Sequence, residues 1–382
     1  VKTLIQKCLI YVTPHNWYDH VLTGQINRPL KFAEQFYNHN LFSNLLIVNR
    51  LRPSRIFFIK ESCRQLLIKG VLFNLFFDKK NQVYYMEHCI PFGKLEETIL
   101  PWIIKYILKK IKQKNYFLWV CDPKSAGLML KLKSINNLFD AYDDWSLSPF
   151  YNKKKRHMKY INRGYLIAKN NAKLIITNTI HMKEKLLTKT NKIELISNTS
   201  SLKIEDKDTN QHNDNKIVGY IGNIHERLDL DLIKSIAEHF PNVKFIFIGK
   251  NNYQSNYFEK LVNNCSNIDF IGPRDYKEIP SYIEKFDVGI VPHLVNEYTL
   301  SQDSMKIYDY LAYGKPIVAT KIPPADILAE IIYVGNTKKQ FIEKLDQALC
   351  ENNDELKNRR LIFMKKNTWR KKAEYICKLL ED

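Results

Sequence analysis

Lys306 and Asp309 lie in the run Ser304-Met305-Lys306-Ile307-Tyr308-Asp309-Tyr310-Leu311-Ala312, where Met305, Tyr308, Leu311 and Ala312 recur at helical spacing. Gly314 ends the pattern as a residue just past a helix C-terminus does. An apolar run closing at Pro292, Val288 to Val291, precedes it, and Ile317 to Ala319 follows; both predict buried parallel strands. One helix between two such strands puts Ser304 and Lys306 at the carboxyl edge of a sheet, where open α/β sheets bind ligands. A helix N-terminus with a cation in its first turn suits a phosphate, and Asp309 one turn on can accept hydrogen bonds from sugar hydroxyls. His293, directly after Pro292, faces the same edge.

Other residues carry chemistry with a plainer reading beside it. Val218-Gly219-Tyr220-Ile221-Gly222-Asn223 sets glycine directly after a strand, with Arg227 near the start of the next helix. A tight turn and an exposed arginine explain this; so does a phosphate loop with an arginine fork. Tyr276, after Ile271-Gly272-Pro273, reads by itself as an anchor in the core; stacking on a nucleotide base is what a family resemblance implies for it. In the first half, Phe139-Asp140-Ala141-Tyr142-Asp143-Asp144-Trp145 places two adjacent acids beside an aromatic after an apolar strand. One carboxylate can hold an acceptor hydroxyl as hydrogen-bond acceptor or base; a helix N-cap with a second, exposed acid is the alternative. Asp229 and Asp231 fall in a helical first turn, where acids suit the dipole, and are not read as metal ligands. His15 and His20 form no ligand set.

The elements that must position these residues alternate along the chain. Cys8 to Val12, Leu45 to Val48, Ile56 to Ile59, Phe117 to Val120 and Leu174 to Thr177 predict buried strands, with Arg28 to Tyr37 an amphipathic helix. After Ile193 to Ile196 comes the polar segment 203–215, with one apolar residue, Ile204, which reads as a linker. Alternation then restarts with Ile217 to Ile221, Phe245 to Ile248, Ile268 to Ile271, Val288 to Val291, Ile317 to Ala319 and Ile331 to Val334. The expected fold is α/β, two Rossmann-like doubly wound domains facing a cleft: 1–202 and 216–366, with an amphipathic last stretch from Trp369 to Leu380.

At 382 residues and 45% hydrophobic content the chain can form two ordinary cores, and no stretch is long and apolar enough to span a bilayer. No signal-peptide pattern opens it. Seven scattered cysteines without a C-x-x-C pattern predict reduced core thiols of a cytoplasmic protein. The net charge of +19 is uneven: residues 1–200 carry 33 basic and 13 acidic side chains, residues 201–382 carry 26 and 27. Such asymmetry predicts an anionic partner for the first half, whether a membrane surface, an acidic polymer or nucleic acid; a membrane on the inner face of the plasma membrane is favoured over nucleic acid, for which no recognised module is present. The basic, apolar Leu100 to Lys114 reads as a solvated helix or an interfacial one.

The run from Ser304 to Val318 closely resembles the donor-site signature of GT-B glycosyltransferases of the retaining, nucleotide-sugar type, with Ser304 where that family has proline and Asp309 where it has glutamate. A further family glutamate corresponds to Ser301 here. The resemblance extends to D-A-Y-D-D-W-S, Trp17, Arg28-Pro29 and Thr177-Asn178, which are similar to glycosyltransferases of the teichuronic-acid-biosynthesis type. It implies the GT-B fold, with the last helix, 367–382, packing back on the first domain. It implies a UDP- or GDP-type donor bound by Gly222, Asn223, Arg227, Tyr276, His293, Ser304, Lys306 and Asp309. Acceptor contacts would come from Trp17 and Arg28, and catalytic ones from Asp143 and Asp144. It further implies transfer with retention to a cell-envelope glycan, polysaccharide or lipid-linked acceptor, with no metal or other cofactor. A nucleotide-sugar epimerase of the same fold, and a basic nucleic-acid- or membrane-binding protein without catalysis, are the competing readings.

Overall fold

A computed structural model describes residues 5–14, 27–39, 41–50, 64–78, 83–205, 216–253 and 255–381. The chain divides into two compact units, Val1–Ile196 with Trp369–Asp382, and Ser197–Thr368. Ten residues of the polar segment 203–215 lie outside the described residues, as do Trp17, His15, His20 and the run Ile56 to Ile59.

The first unit is built on a nine-stranded sheet: β1 (Ile5–Thr13), β2 (Phe42–Arg50), β3 (Arg64–Lys69), β4 (Phe73–Asp78), β5 (Val83–His88), β6 (Tyr116–Val120), β7 (Asn137–Ala141), β8 (Leu174–Thr177) and β9 (Lys192–Leu195). Their order is β3-β4-β5-β2-β1-β6-β7-β8-β9, parallel except where β4 runs antiparallel to β3 and β5. β6 and β8 are buried at every position, as strands of a parallel sheet covered on both faces are. The helix Arg28–Asn38 starts at Asn27, whose side chain accepts from the Leu30 amide, with Pro29 in the first turn. It packs Phe32 and Phe36 on Trp119 of β6, and Phe32 also meets Trp369 of the closing helix, edge-to-face at 5.1 Å between ring centres. The closing helix, Trp369–Glu381, is therefore part of this unit's core.

The second unit carries β10 (Ile217–Ile221), β11 (Lys244–Ile248), β12 (Ile268–Gly272), β13 (Val288–Val291), β14 (Ile317–Thr320) and β15 (Tyr333–Gly335) in the order β12-β11-β10-β13-β14-β15, all parallel. This is the doubly wound dinucleotide-fold order, and it reverses between β10 and β13. The pairing there is short: β10 and β13 meet only at Val218 with Val288 and Gly219 with Gly289. Beyond it, the Tyr310 hydroxyl takes the place of a strand, accepting from the Ile221 amide at 2.9 Å and donating to the Gly219 carbonyl at 3.3 Å. Gly289 makes room for it, since a β-carbon there would sit 2.5 Å from the Tyr310 ring. The sheet thus opens at its switch point around a side chain of the signature helix, Met305–Leu311.

Candidate functional site

Gly222 ends β10 with φ of +134°, a conformation that side chains other than glycine rarely adopt. Its amide donates to the Ile248 carbonyl at 2.8 Å. The next turn is nested against it: Gly249 has φ of +149°, and a β-carbon there would lie 2.0 Å from the Gly222 carbonyl oxygen. Directly beside this loop comes the side chain of Lys306, so close that a β-carbon on Gly222 would stand 2.9 Å from its Cε and 3.1 Å from its Nζ. The Lys306 ammonium lies 5.0 Å from the centre of the Tyr220 ring, and it enters no ion pair among the described residues.

Three more basic groups converge here. Arg227, half-buried, has a buried Nε without a hydrogen-bond partner. His293 is 2% exposed, with Nε2 3.4 Å from the Tyr220 hydroxyl. His225, two residues from Arg227, places Nδ1 3.4 Å from the Arg227 amide. Their electrostatics agree. Burial, then Arg227, push the Lys306 amine well below the usual lysine range, with Asp309 pulling the other way. Burial, then Lys306, Arg227 and His225, push His293 well down. Burial, with Arg227 and Lys306, brings His225 to about 3. Lys306, His225 and His293, pushed down by burial and by neighbouring cations around a glycine turn, form a site that an anion would relieve.

Asp309 sits one turn along the helix and is largely buried. Its Oδ1 accepts from the Ser200 hydroxyl at 2.5 Å and from the Tyr276 hydroxyl at 3.4 Å. Tyr276 therefore has its ring against the core and its hydroxyl on Asp309. Ser304 is the residue before the helix; its own hydroxyl is buried without a partner, while Asp303 beside it accepts from the Asn198 amide and the Tyr308 hydroxyl. Asn223 is exposed, its carbonyl accepting from the Tyr220 hydroxyl at 3.2 Å. Ser301 is turned inward onto the Tyr298 carbonyl. Gly222, Arg227, His293 and Lys306 are thus brought together. His225 and Tyr310 join them, and neither was signalled: His225 stands in a turn of no distinctive pattern, and Tyr310 reads as core.

Asp229 accepts from the Leu232 amide at 2.9 Å as the N-cap of the helix Leu230–His239, with Asp231 in its first turn. Among the described residues no three His, Cys, Asp or Glu side chains gather as a metal set.

In the first unit two of the expected residues, Arg28 and Asp144, are buried and paired within the protein. Arg28 is 3% exposed and is held internally: Nε donates to Asp140 at 2.9 Å and Nη1 to the Ile196 carbonyl at 2.7 Å. Burial raises the Asp140 carboxyl to about 6 against the pull of Arg28. Arg28 thus sits in a core ion pair with Asp140. Asp144 is 1% exposed and saturated, accepting from the Ser146 amide and hydroxyl at 3.0 and 2.6 Å and from Lys185 at 2.5 Å. Burial alone would raise its pKa, but the bonds from Lys185 and Ser146 outweigh that and hold it below the usual carboxylate range. Asp143 is the half-buried acid of the pair; its carbonyl accepts from the Tyr165 hydroxyl, which in turn accepts from the Trp145 amide.

Residues 215–353 match the family model described as Glycosyl transferases group 1. The chain is 30% identical over 178 residues to the putative teichuronic acid biosynthesis glycosyltransferase TuaH of Bacillus subtilis (strain 168), a match that spans 45% of this chain and 45% of that relative, less than half its length. Among solved structures, S. aureus TarM with UDP and α-GlcNAc-glycerol superposes at a TM-score of 0.63 and 13% identity, over 99% of this chain and all of that one. Trehalose-6-phosphate synthase OtsA gives 0.66 at 10% identity over 99% of each chain. Anabaena HepE with UDP-glucose gives 0.65 at 12%, over 98% of this chain and all of that one. The fold of this chain is that of the GT-B glycosyltransferases, two Rossmann-like parallel α/β units.

Proposed function

We propose that this protein is a glycosyltransferase that binds a UDP- or GDP-type sugar donor at Gly222, Arg227 and Lys306. It moves the sugar, with retention, to a cell-envelope glycan, polysaccharide or lipid-linked acceptor. The observation that carries this is the gathering of Lys306, Arg227, His225 and His293 around the Gly222 turn. In sugar transfer from a nucleoside diphosphate, negative charge grows on the leaving diphosphate as the anomeric bond breaks. Fixed cations and amides already aimed at that position stabilise the developing charge without reorganising. Lys306 and Arg227 would hold the diphosphate, and Asp309 with Ser200 and Tyr276 would face the ribose. Asp143 is the acceptor-side acid we favour for holding the attacking hydroxyl.

The names of the relatives support the same class: teichuronic acid biosynthesis for the curated match, UDP and UDP-glucose in two superposable structures. Retention is supported by the likeness of the signature run, and transfer without a metal by the supply of cations from the chain itself. Thermal unfolding with a panel of nucleoside diphosphates tests the reading, because a ligand that prefers the folded state raises the midpoint. A rise with UDP or GDP, absent with the free nucleoside, is expected; no rise with any diphosphate overturns it. Transfer, once an acceptor is in hand, is expected to survive EDTA.

A further inference from the structure

The helix Lys94–Lys110 in the first unit is apolar on two sides. Its inner side packs Leu100, Ile104, Ile107 and Leu108 into the core. Its outer side carries Leu95, Trp102 and Tyr106, which recur at i, i+7 and i+11 and so form one stripe about 16 Å long. Trp102 is 76% exposed, Leu95 57% and Tyr106 47%. A tryptophan left that open by its own fold is unusual, because its indole is among the largest apolar surfaces a side chain offers.

The charges sort by side as well. Both acids of the helix turn inward: Glu96 accepts from the Ser125 hydroxyl at 3.2 Å, and Glu97 accepts from Arg163 Nη2 at 3.0 Å. Every lysine turns outward. Lys94, Lys105, Lys109 and Lys110 are exposed, as are Lys112 and Lys114 just beyond the helix. The outer face therefore offers aromatic rings and ammonium groups with no helix carboxylate among them, on the half of the chain that holds all the excess positive charge. Among the described residues no helix is long and apolar enough to cross a membrane.

We propose that this outer face is a docking surface for an anionic lipid bilayer. Trp102, Tyr106 and Leu95 would enter the headgroup region, and the lysines would reach past them to lipid phosphates. Tryptophan and tyrosine are suited to that depth because each joins an apolar ring to a polar tip. Lysines near an anionic leaflet contribute independently of sequence, and their attraction fades with salt. The face belongs to the first unit and the nucleotide site to the second, so its occupation and nucleotide binding can be measured apart.

The experiment is co-sedimentation of the full chain with vesicles of phosphatidylglycerol and phosphatidylcholine, or of phosphatidylcholine alone. Binding is expected to the first, not the second, and to fall as salt is raised. Each reversal among Lys105→Glu, Lys109→Glu and Lys110→Glu should weaken it about fivefold or more. The double variant Trp102→Ala, Tyr106→Ala should weaken it about tenfold while leaving UDP and GDP affinity in solution unchanged. The pair Lys153→Glu, Lys154→Glu, on a separate basic stretch, is the control and should weaken it less than the same number of reversals on the helix. Equal sedimentation of the Trp102, Tyr106 variant and the wild type overturns the proposal. So does no binding to anionic vesicles at low salt. A dimer in sedimentation velocity that the same variant dissociates also overturns it, since the face would then be covered by a second copy.

Discussion

Replacing Lys306 with methionine separates a ligand-binding role from a structural one, because the two predict opposite signs. In the folded chain this ammonium lies against the Gly222 turn and the Tyr220 ring, buried near Arg227, and it enters no ion pair among the described residues. Its positive charge meets the Tyr220 ring and the field of Asp309, and burial and Arg227 oppose it more strongly. Methionine keeps the length and most of the volume, so packing on Tyr220 survives, while the cost of burying a basic group disappears. The thermal midpoint of Lys306→Met should stay level or rise, by about 2–4 °C for each kcal/mol gained in a unit of about 150–250 residues. Affinity for a nucleoside diphosphate should fall. A charge-assisted bond is worth about 1.5–3 kcal/mol, which is roughly 10- to 150-fold in Kd. Titration calorimetry with UDP and GDP, alongside thermal unfolding of the ligand-free protein, reads both. The free nucleoside, lacking phosphates, should lose little. Unchanged diphosphate affinity, or a loss of affinity that comes with a lower midpoint, would refute the reasoning.

Three further outcomes follow from the same geometry. Asp309→Asn should weaken binding of a ribonucleoside diphosphate more than of its 2′,3′-dideoxy analogue; equal losses would mean that Asp309 serves only its bonds to Ser200 and Tyr276. Arg28→Ala should destabilise the protein by about 3–5 kcal/mol in urea unfolding, since it leaves Asp140 buried opposite nothing; a change under about 1 kcal/mol would contradict the internal pairing. Binding of a diphosphate should take up protons, because a nearby anion raises the pKa of His225 from about 3 and of His293 and Lys306 from their lowered values. Affinity should therefore rise as pH falls from about 8 to 6, and binding heats should differ between buffers of unequal ionisation enthalpy. In the ligand-free protein the sign is reversed. His225, near 6.5 when unfolded, contributes stability above that pH and loses it as pH falls toward 3. Equal heats in all buffers would sink the coupling.

The second unit was largely legible. Val288–Val291 and Ile217–Ile221 are strands over the spans their apolar runs predict, since buried parallel strands show as unbroken apolar blocks. The helix Met305–Leu311 and its glycine stop were also plain. The antiparallel β3–β4 pair was not. Its residues read as one apolar stretch broken at Lys69-Gly70, and that break is the turn, with the Gly70 amide and the Phe73 carbonyl joined at 3.0 Å. Arg28 and Asp140 are separated by 112 positions, so no spacing links them, and an arginine beside a proline looks the same whether it meets a ligand or a buried acid. For Asp143 and Asp144, adjacency concealed the difference. Successive residues of an irregular turn point different ways, and only tertiary structure brings Lys185 to one of them.

The nesting of Gly222 and Gly249 limits how this chain could be re-engineered. Neither position suits a side chain: the φ of +134° at Gly222 strains any L residue, and at Gly249 a β-carbon would strike the Gly222 carbonyl oxygen. That turn cannot be reshaped residue by residue. A library meant to change which nucleotide sugar is accepted should leave both glycines alone, spare Asn296, whose side chain caps the helix Glu297–Leu300, and vary the exposed Pro273, Arg274, Asp275, Leu294 and Val295. At those exposed positions the backbone has no positive φ to satisfy.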